Sequence, residues 1–155
     1  MTQWKMPPVA KVYEALSALA DGRVRITAPG CAEVVSSSGD KVYSVEWSED
    51  GRLITSNDNA SYWQGYTGYT IIAVLLATGR ISYDRAAAGL LAGVPWHDLN
   101  ERFKRDYDAA VESVLQEIES RGGDRRVIEQ QAEAIFRQLE GLGLERGPRR
   151  VPPKG

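Results

Sequence analysis

Apolar positions fall into two regimes along this chain: an alternating pattern over residues 24 to 55 and helical spacing on either side of it. Before the alternation, Val9, Val12, Leu16 and Leu19 follow Pro7-Pro8 at spacings of three and four. That is an apolar helical stripe with proline at its entrance, ended by Asp21-Gly22. Val24 and Ile26 then alternate with Arg23, Arg25 and Thr27, a short strand that Pro29-Gly30 stops. Residues 31 to 36 predict a second strand, closed by the turn cluster Ser37-Ser38-Gly39-Asp40. Tyr43, Val45 and Trp47 share one face of a third, with Ser44 and Glu46 on the other. Glu49-Asp50-Gly51 is a hairpin signal, so a fourth strand, Arg52 to Thr55, pairs antiparallel with the third.

Beyond the polar run Ser56-Asn57-Asp58-Asn59 the pattern turns helical again. From Leu53 through Gly79 the only charged residue is Asp58, and Tyr62, Trp63, Tyr66 and Tyr69 crowd into eight positions. The run Ile71 to Ala77 is apolar all round, which predicts a buried helix capped by Gly79 and laid against the sheet. A short helix over Arg85 to Ala92, capped by Ser82 or Asp84, ends at Gly93 and Pro95. Leu99, Phe103, Tyr107, Val111, Val114, Leu115 and Ile118 form one long stripe, and Ile128, Ala132, Ile135, Leu139 and Leu142 a second, separated by Gly122-Gly123. Two amphipathic helices so joined make an antiparallel hairpin, able to fold back on the sheet or to pair with another subunit.

These elements predict an α+β protein: a small antiparallel sheet of three or four strands packed on a buried helix, followed by a C-terminal helical hairpin. The expected organisation is an α+β unit over 1–96, the hairpin over 97–144 and a disordered basic, proline-rich tail over 145–155. The 155 residues suffice for a sizeable core. A net charge of -2 removes any global basic field, so a surface for nucleic acid has to be local. One cysteine, Cys31, and one histidine, His97, exclude an intrachain disulfide and a multi-cysteine metal site. No cofactor or metal is expected. The first residues carry Trp4, Lys5 and Pro7-Pro8 and no apolar leader. The longest apolar run falls far short of the ~20 residues a bilayer needs. The expected location is therefore cytoplasmic, with no membrane partner.

The hairpin VYSVEWSEDGRLITS and the helix start GYTGYTIIAVLLATGRI resemble the SWIM-type zinc finger over residues 41 to 79. That family places Cys-x-Cys at the end of a strand hairpin and Cys-x-His at the opening of a helix. Superposed, Ile54 and Ser56 stand at the first pair and Gly68 and Thr70 at the second. None of the four is a good zinc ligand. The resemblance implies a metal-free version, closed by apolar and aromatic packing, and a function in binding nucleic acid or partner proteins. It assigns no residue a role.

Residue chemistry leaves two readings of the aromatic cluster open. Tyr62, Trp63, Tyr66 and Tyr69 either wall the core or form a platform on which single-stranded bases stack, with Arg52, Arg80 and Arg85 meeting phosphates. The tail with Arg146, Arg149, Arg150 and Lys154 is either a nucleic-acid arm or a solvated terminus. Mixed charges on the long hairpin read as a solvated face, with Arg121 and Arg125-Arg126 its most basic spot. His97, before a helix and without a nucleophile beside it, reads as a residue of the helix start. Gly65-x-x-Gly68 lacks the lysine and spacing of a phosphate loop. No paired general acid and base can be named, so an enzyme is not expected. The expected function is a non-enzymatic module binding single-stranded DNA or RNA. The alternative is a protein-interaction module in which the C-terminal helices dimerise or dock a partner.

Overall fold

The computed structural model describes residues 2–147 and residue 152. The fold is α+β, with a five-stranded sheet in the order β1-β2-β3-β4-β5. Strands β1 (Val24–Ala28), β2 (Cys31–Val35), β3 (Val42–Trp47) and β4 (Leu53–Ser56) form the antiparallel meander that the alternation predicts. Gly51 takes a φ of 75° in the turn between β3 and β4, where a side chain would be strained and would also meet the Arg80 guanidinium. Register places Val34 beside Tyr43, Val45 beside Ser56 and Trp47 beside Ile54 on the face turned to the core.

Helix α2 (Tyr69–Ala77) lies across β1 to β4, and every residue from Thr70 to Leu76 is buried. A helix apolar on all sides needs cover on its other side too. Helix α1 (Ala10–Ala20) supplies it, and α3 (Arg85–Gly89), α5 (Tyr107–Ser120) and α6 (Arg125–Leu142) pack on α1 in turn. The stacking is therefore sheet, α2, α1 and an outer helical layer. Helix α1 shows one apolar stripe in sequence, yet it is buried continuously from Ala10 to Ala18 because it is the inner helix. Ser17 in its middle donates to the Leu91 carbonyl at 2.7 Å and accepts from Trp96 Nε1 at 2.8 Å.

The C-terminal stripes are used inside the chain. Val114, Leu115, Ile118, Ile128, Ile135 and Leu139 belong to the same core cluster as Ile71 and Val45, which makes one core of the 1–96 and 97–144 parts. The long stripe from Leu99 to Ile118 is two helices, α4 (Trp96–Arg102) and α5. Lys104 and Arg105 take φ values of 53° and 64° between them, and Asp106 restarts the chain by accepting from the Ala109 N–H at 3.1 Å. Left-handed conformation costs a non-glycine residue about 1–2 kcal/mol, and neither residue announces it in sequence. Helix α3 is shorter than the stretch to Ala92, and Asp84 is its cap.

A fifth strand is absent from the alternating pattern. Glu145–Arg146, assigned by sequence to the tail, forms β5, which pairs parallel with β4 through Leu53 and Ile54. The rest of the basic tail, apart from Gly147 and Pro152, lies outside the described residues. Among the described residues, no helix is long and apolar enough to cross a membrane.

If the hairpin helices share the core, Ile135→Ala lowers stability by about 2–5 kcal/mol. Urea unfolding followed by far-UV circular dichroism and by tryptophan fluorescence should then give one coincident transition. Two separated transitions would mean that the hairpin folds apart from the sheet.

Candidate functional site

Between β4 and α2 the chain runs through a buried polar junction. Ser56, Asn57, Asp58, Ser61, Thr67 and Thr70 are all buried. Asn57 continues the pairing with β3: its N–H donates to the Ser44 carbonyl, and its side-chain oxygen accepts from the Ser44 N–H at 2.8 Å. Asp58 accepts from the Thr70 hydroxyl at 2.8 Å and from the Ser61 N–H at 3.1 Å. Ser61 Oγ accepts from the Gly68 N–H at 3.0 Å. Thr70 spends its one proton on Asp58, so in the 2.8 Å contact between Ser56 and Thr70 the serine is the donor. Ser56, Gly68 and Thr70 are three of the four residues that the sequence resemblance set opposite zinc ligands, and hydrogen bonds join strand end to helix start there. A Cβ on Gly68 would fall on Asp58 Oδ2 and close to Ser61 Oγ.

This junction carries the aromatic loop, which is a turn of π-helix (Ala60–Gln64) followed by Gly65 with φ 74°. The four aromatics separate. Trp63 is 68% exposed, far more than any other large hydrophobic side chain described. Tyr62 meets it edge to face at 4.6 Å. Tyr66 is half-buried and turns towards Lys11 and Tyr107; burial pushes its hydroxyl up. Tyr69 packs against the core and edge-on to Tyr43 at 6.5 Å, and burial likewise raises its pKa. The cluster thus divides: Tyr69 packs on the core, Tyr62 and Tyr66 are half-buried, and Trp63 is exposed.

The three arginines named from sequence are not beside this loop. Helix α2 starts beside Ser56, at the far end of β4, and runs back towards the β3–β4 turn. There Arg80 donates to the Gly51 carbonyl at 2.8 Å. Arg52, at the same turn, pairs with Glu145 at 3.0 Å. Arg85 is exposed on α3, whose cap residue Asp84 has its N–H bonded to Gln131 of α6. The basic residues against the aromatic loop are Lys5, through its backbone, and Arg146, through its guanidinium. The Lys5 N–H donates to the Gly65 carbonyl at 3.0 Å, and the Lys5 carbonyl accepts from Thr67. Arg146 Nη2 lies where a Cβ on Gly65 would fall. Both reach the loop through long-range backbone pairing, for which the sequence carries no signal.

A second buried polar group is also unannounced. Lys11 and Glu14 on α1 pair at 3.1 Å, each almost inaccessible. Asn100 reaches Glu14 at 3.5 Å, and the Lys11 ammonium sits 4.2 Å from the centre of the Tyr107 ring. Burial pushes the Glu14 carboxyl up, and the pull of Lys11 does not cancel it. Burial alone pulls Lys11 down, but Glu14 and Tyr107 outweigh it, and the ammonium is held above its usual range. His97 lies at the start of α4 with its N–H on Ser37 Oγ and its ring 3.2 Å from Glu101. Among the described residues, no group of three or more histidines, cysteines or carboxylates is placed to hold a metal.

Fold and site together define an α+β domain that presents an exposed tryptophan on a hydrogen-bonded loop. The chain belongs to the family described as uncharacterised conserved protein UCP014422, whose model matches residues 4–145. That description names neither a zinc finger nor an activity. No curated protein and no solved structure matches the chain.

Two substitutions check the junction and the buried pair. Thr70→Val leaves Asp58 short of a donor and should cost about 1–3 kcal/mol in urea unfolding, with Thr70→Ser recovering most of it. Lys11→Met strands a buried carboxylate and should cost about 3–5 kcal/mol at neutral pH. A carboxyl with a raised native pKa contributes stability in acid and loses it as pH rises through that pKa. The Lys11→Met deficit should therefore shrink between pH 7 and pH 5, while Lys11→Met with Glu14→Leu should unfold near the wild-type midpoint at both.

Proposed function

We propose that the chain is a non-enzymatic nucleic-acid-binding module that takes single-stranded DNA or RNA on its aromatic loop. The observation that carries this reading is Trp63, 68% exposed on a loop whose base is buried and hydrogen-bonded through Asp58, Ser61 and Thr70. Such a side chain, backed edge-on by Tyr62, is a rigid face for a base, and stacking is indifferent to sequence because every base has a π-face. Cationic support comes from Lys5 and Arg146, in place of Arg52, Arg80 and Arg85. The likeness to SWIM-type fingers supports the same class of function, with the Ser56–Asp58–Thr70 bonds taking the place of a metal cross-link.

The assembly reading draws less support, because the apolar stripes of α5 and α6 are buried in the chain's own core. Val127 is the one large apolar side chain of α6 left exposed. A surface for dimerising through these helices would have to be built mostly from charged residues.

Titrating the protein with a short oligothymidylate at low salt should quench tryptophan emission, and added salt should reverse it. Trp63→Ala should weaken binding by about 5- to 150-fold, the equivalent of the ~1–3 kcal/mol of one stacked base. Substituting Arg52 and Arg80 by alanine should change affinity by less than twofold. Unquenched emission at low salt would remove the reading.

A further inference from the structure

Arg146 has a setting that no other described arginine shares. Its backbone is fixed on two sides: the N–H donates to the Thr2 carbonyl at 2.8 Å, and β5 pairs with Ile54. Its guanidinium carbon lies 5.1 Å from the centre of the Trp4 ring, and Trp4 is anchored in turn by Nε1 donating to the Ile54 carbonyl at 2.9 Å. Nε is buried and donates to nothing, and Nη2 lies against Gly65 of the aromatic loop. No carboxylate among the described residues pairs with Arg146. By contrast Arg125 is shared by Glu112, Glu119 and Glu129, Arg52 pairs with Glu145, and Arg23 with Asp21.

A half-buried cation held in place without an anion has the form of a prepared receptor. The guanidinium fork suits the oxygens of a phosphate, which it can grip with two parallel N–H donors. Lys5, exposed and bridged through its backbone to Tyr66, is a second basic residue at the loop. Gly65 has to be glycine on two counts, its positive φ and the guanidinium that fills the space of a side chain. Trp63 stands two residues away on the same turn. We infer that Arg146, with Lys5, is a phosphate site and that it holds the backbone of a strand whose base lies on Trp63. This rests on the nucleic-acid reading above for the source of the phosphate.

The test compares wild type, Arg146→Gln and Gly65→Ala, each checked for a native urea midpoint, in oligothymidylate titrations across salt. For single strands log K falls with log salt by about 0.7 for each phosphate neutralised. Arg146→Gln should flatten the slope by about 0.7 and weaken binding at low salt, and Gly65→Ala, which keeps the charge but displaces the guanidinium, should do the same. Trp63→Ala should weaken binding without changing the slope. An unchanged slope in Arg146→Gln, with the oligonucleotide still bound, overturns the phosphate site and leaves the functional reading standing. In a parallel arm, inorganic pyrophosphate should shift the Trp4 indole proton resonance in wild type and not in Arg146→Gln. Pyrophosphate binding without oligonucleotide binding would keep the site and assign it to free phosphates, against the functional reading. Failure of both ligands overturns both.

Discussion

The carboxylate of Asp58 is the point on which the centre of this molecule turns. It is the single charge in a stretch of 27 residues, and it is buried. A buried carboxylate is tolerable only with donors around it. Thr70 and Ser61 supply them, and each constrains more than itself. Thr70 opens α2, so the helix must begin where Asp58 can reach it. Ser61 opens the π-helical turn and holds the Gly68 N–H, so the loop must close over its own base. Gly68 is then left no room for a side chain. The outward direction of Trp63 follows from the inward direction of everything beneath it.

The same economy runs through the helical layers. Helix α2 is apolar on all sides and needs both the sheet and α1, which makes α1 an inner helix although it carries Lys11, Glu14 and Ser17. Each of these polar groups finds a partner on a neighbouring segment: Asn100 of α4 for Glu14, the Tyr107 ring of α5 for Lys11, and the Leu91 carbonyl with Trp96 of α4 for Ser17. Burying an ion pair brings little net stability, since desolvation offsets attraction. It does discriminate among packings, because α4 and α5 can dock on α1 only where their polar groups meet its own.

What the sequence made legible was local. Strands β1 to β4 and helix α2 lie within a residue or two of their expected places, because alternation, turn residues and an uncharged run are properties of neighbours. The break between α4 and α5 was not legible: Lys104 and Arg105 are ordinary helix formers, yet both take positive φ. Nor was the π-helical turn, which has no period of its own in the pattern. Trp63 and Tyr69 could not be told apart for the same reason, since a residue on an irregular loop belongs to no face until the loop is fixed. The arginines were assigned by nearness in sequence, whereas α2 runs back along β4 and takes Arg80 away from the aromatics.

The element hardest to foresee decides most about charge. Strand β5 is two residues long, parallel, and brought to β4 from the other end of the chain. Alternation along a strand sends neighbouring side chains to opposite faces. Glu145 accordingly goes to Arg52 and pairs with it, while Arg146 goes to Trp4 and Gly65 and meets no carboxylate among the described residues. One short pairing thus silences the arginine that sequence favoured and exposes another beside the aromatic loop. A shift of β5 by one residue that set Glu145 opposite Ile54 would put an acid where Arg146 now stands. The register of Ile54 with Arg146 is therefore what gives the loop its cationic side.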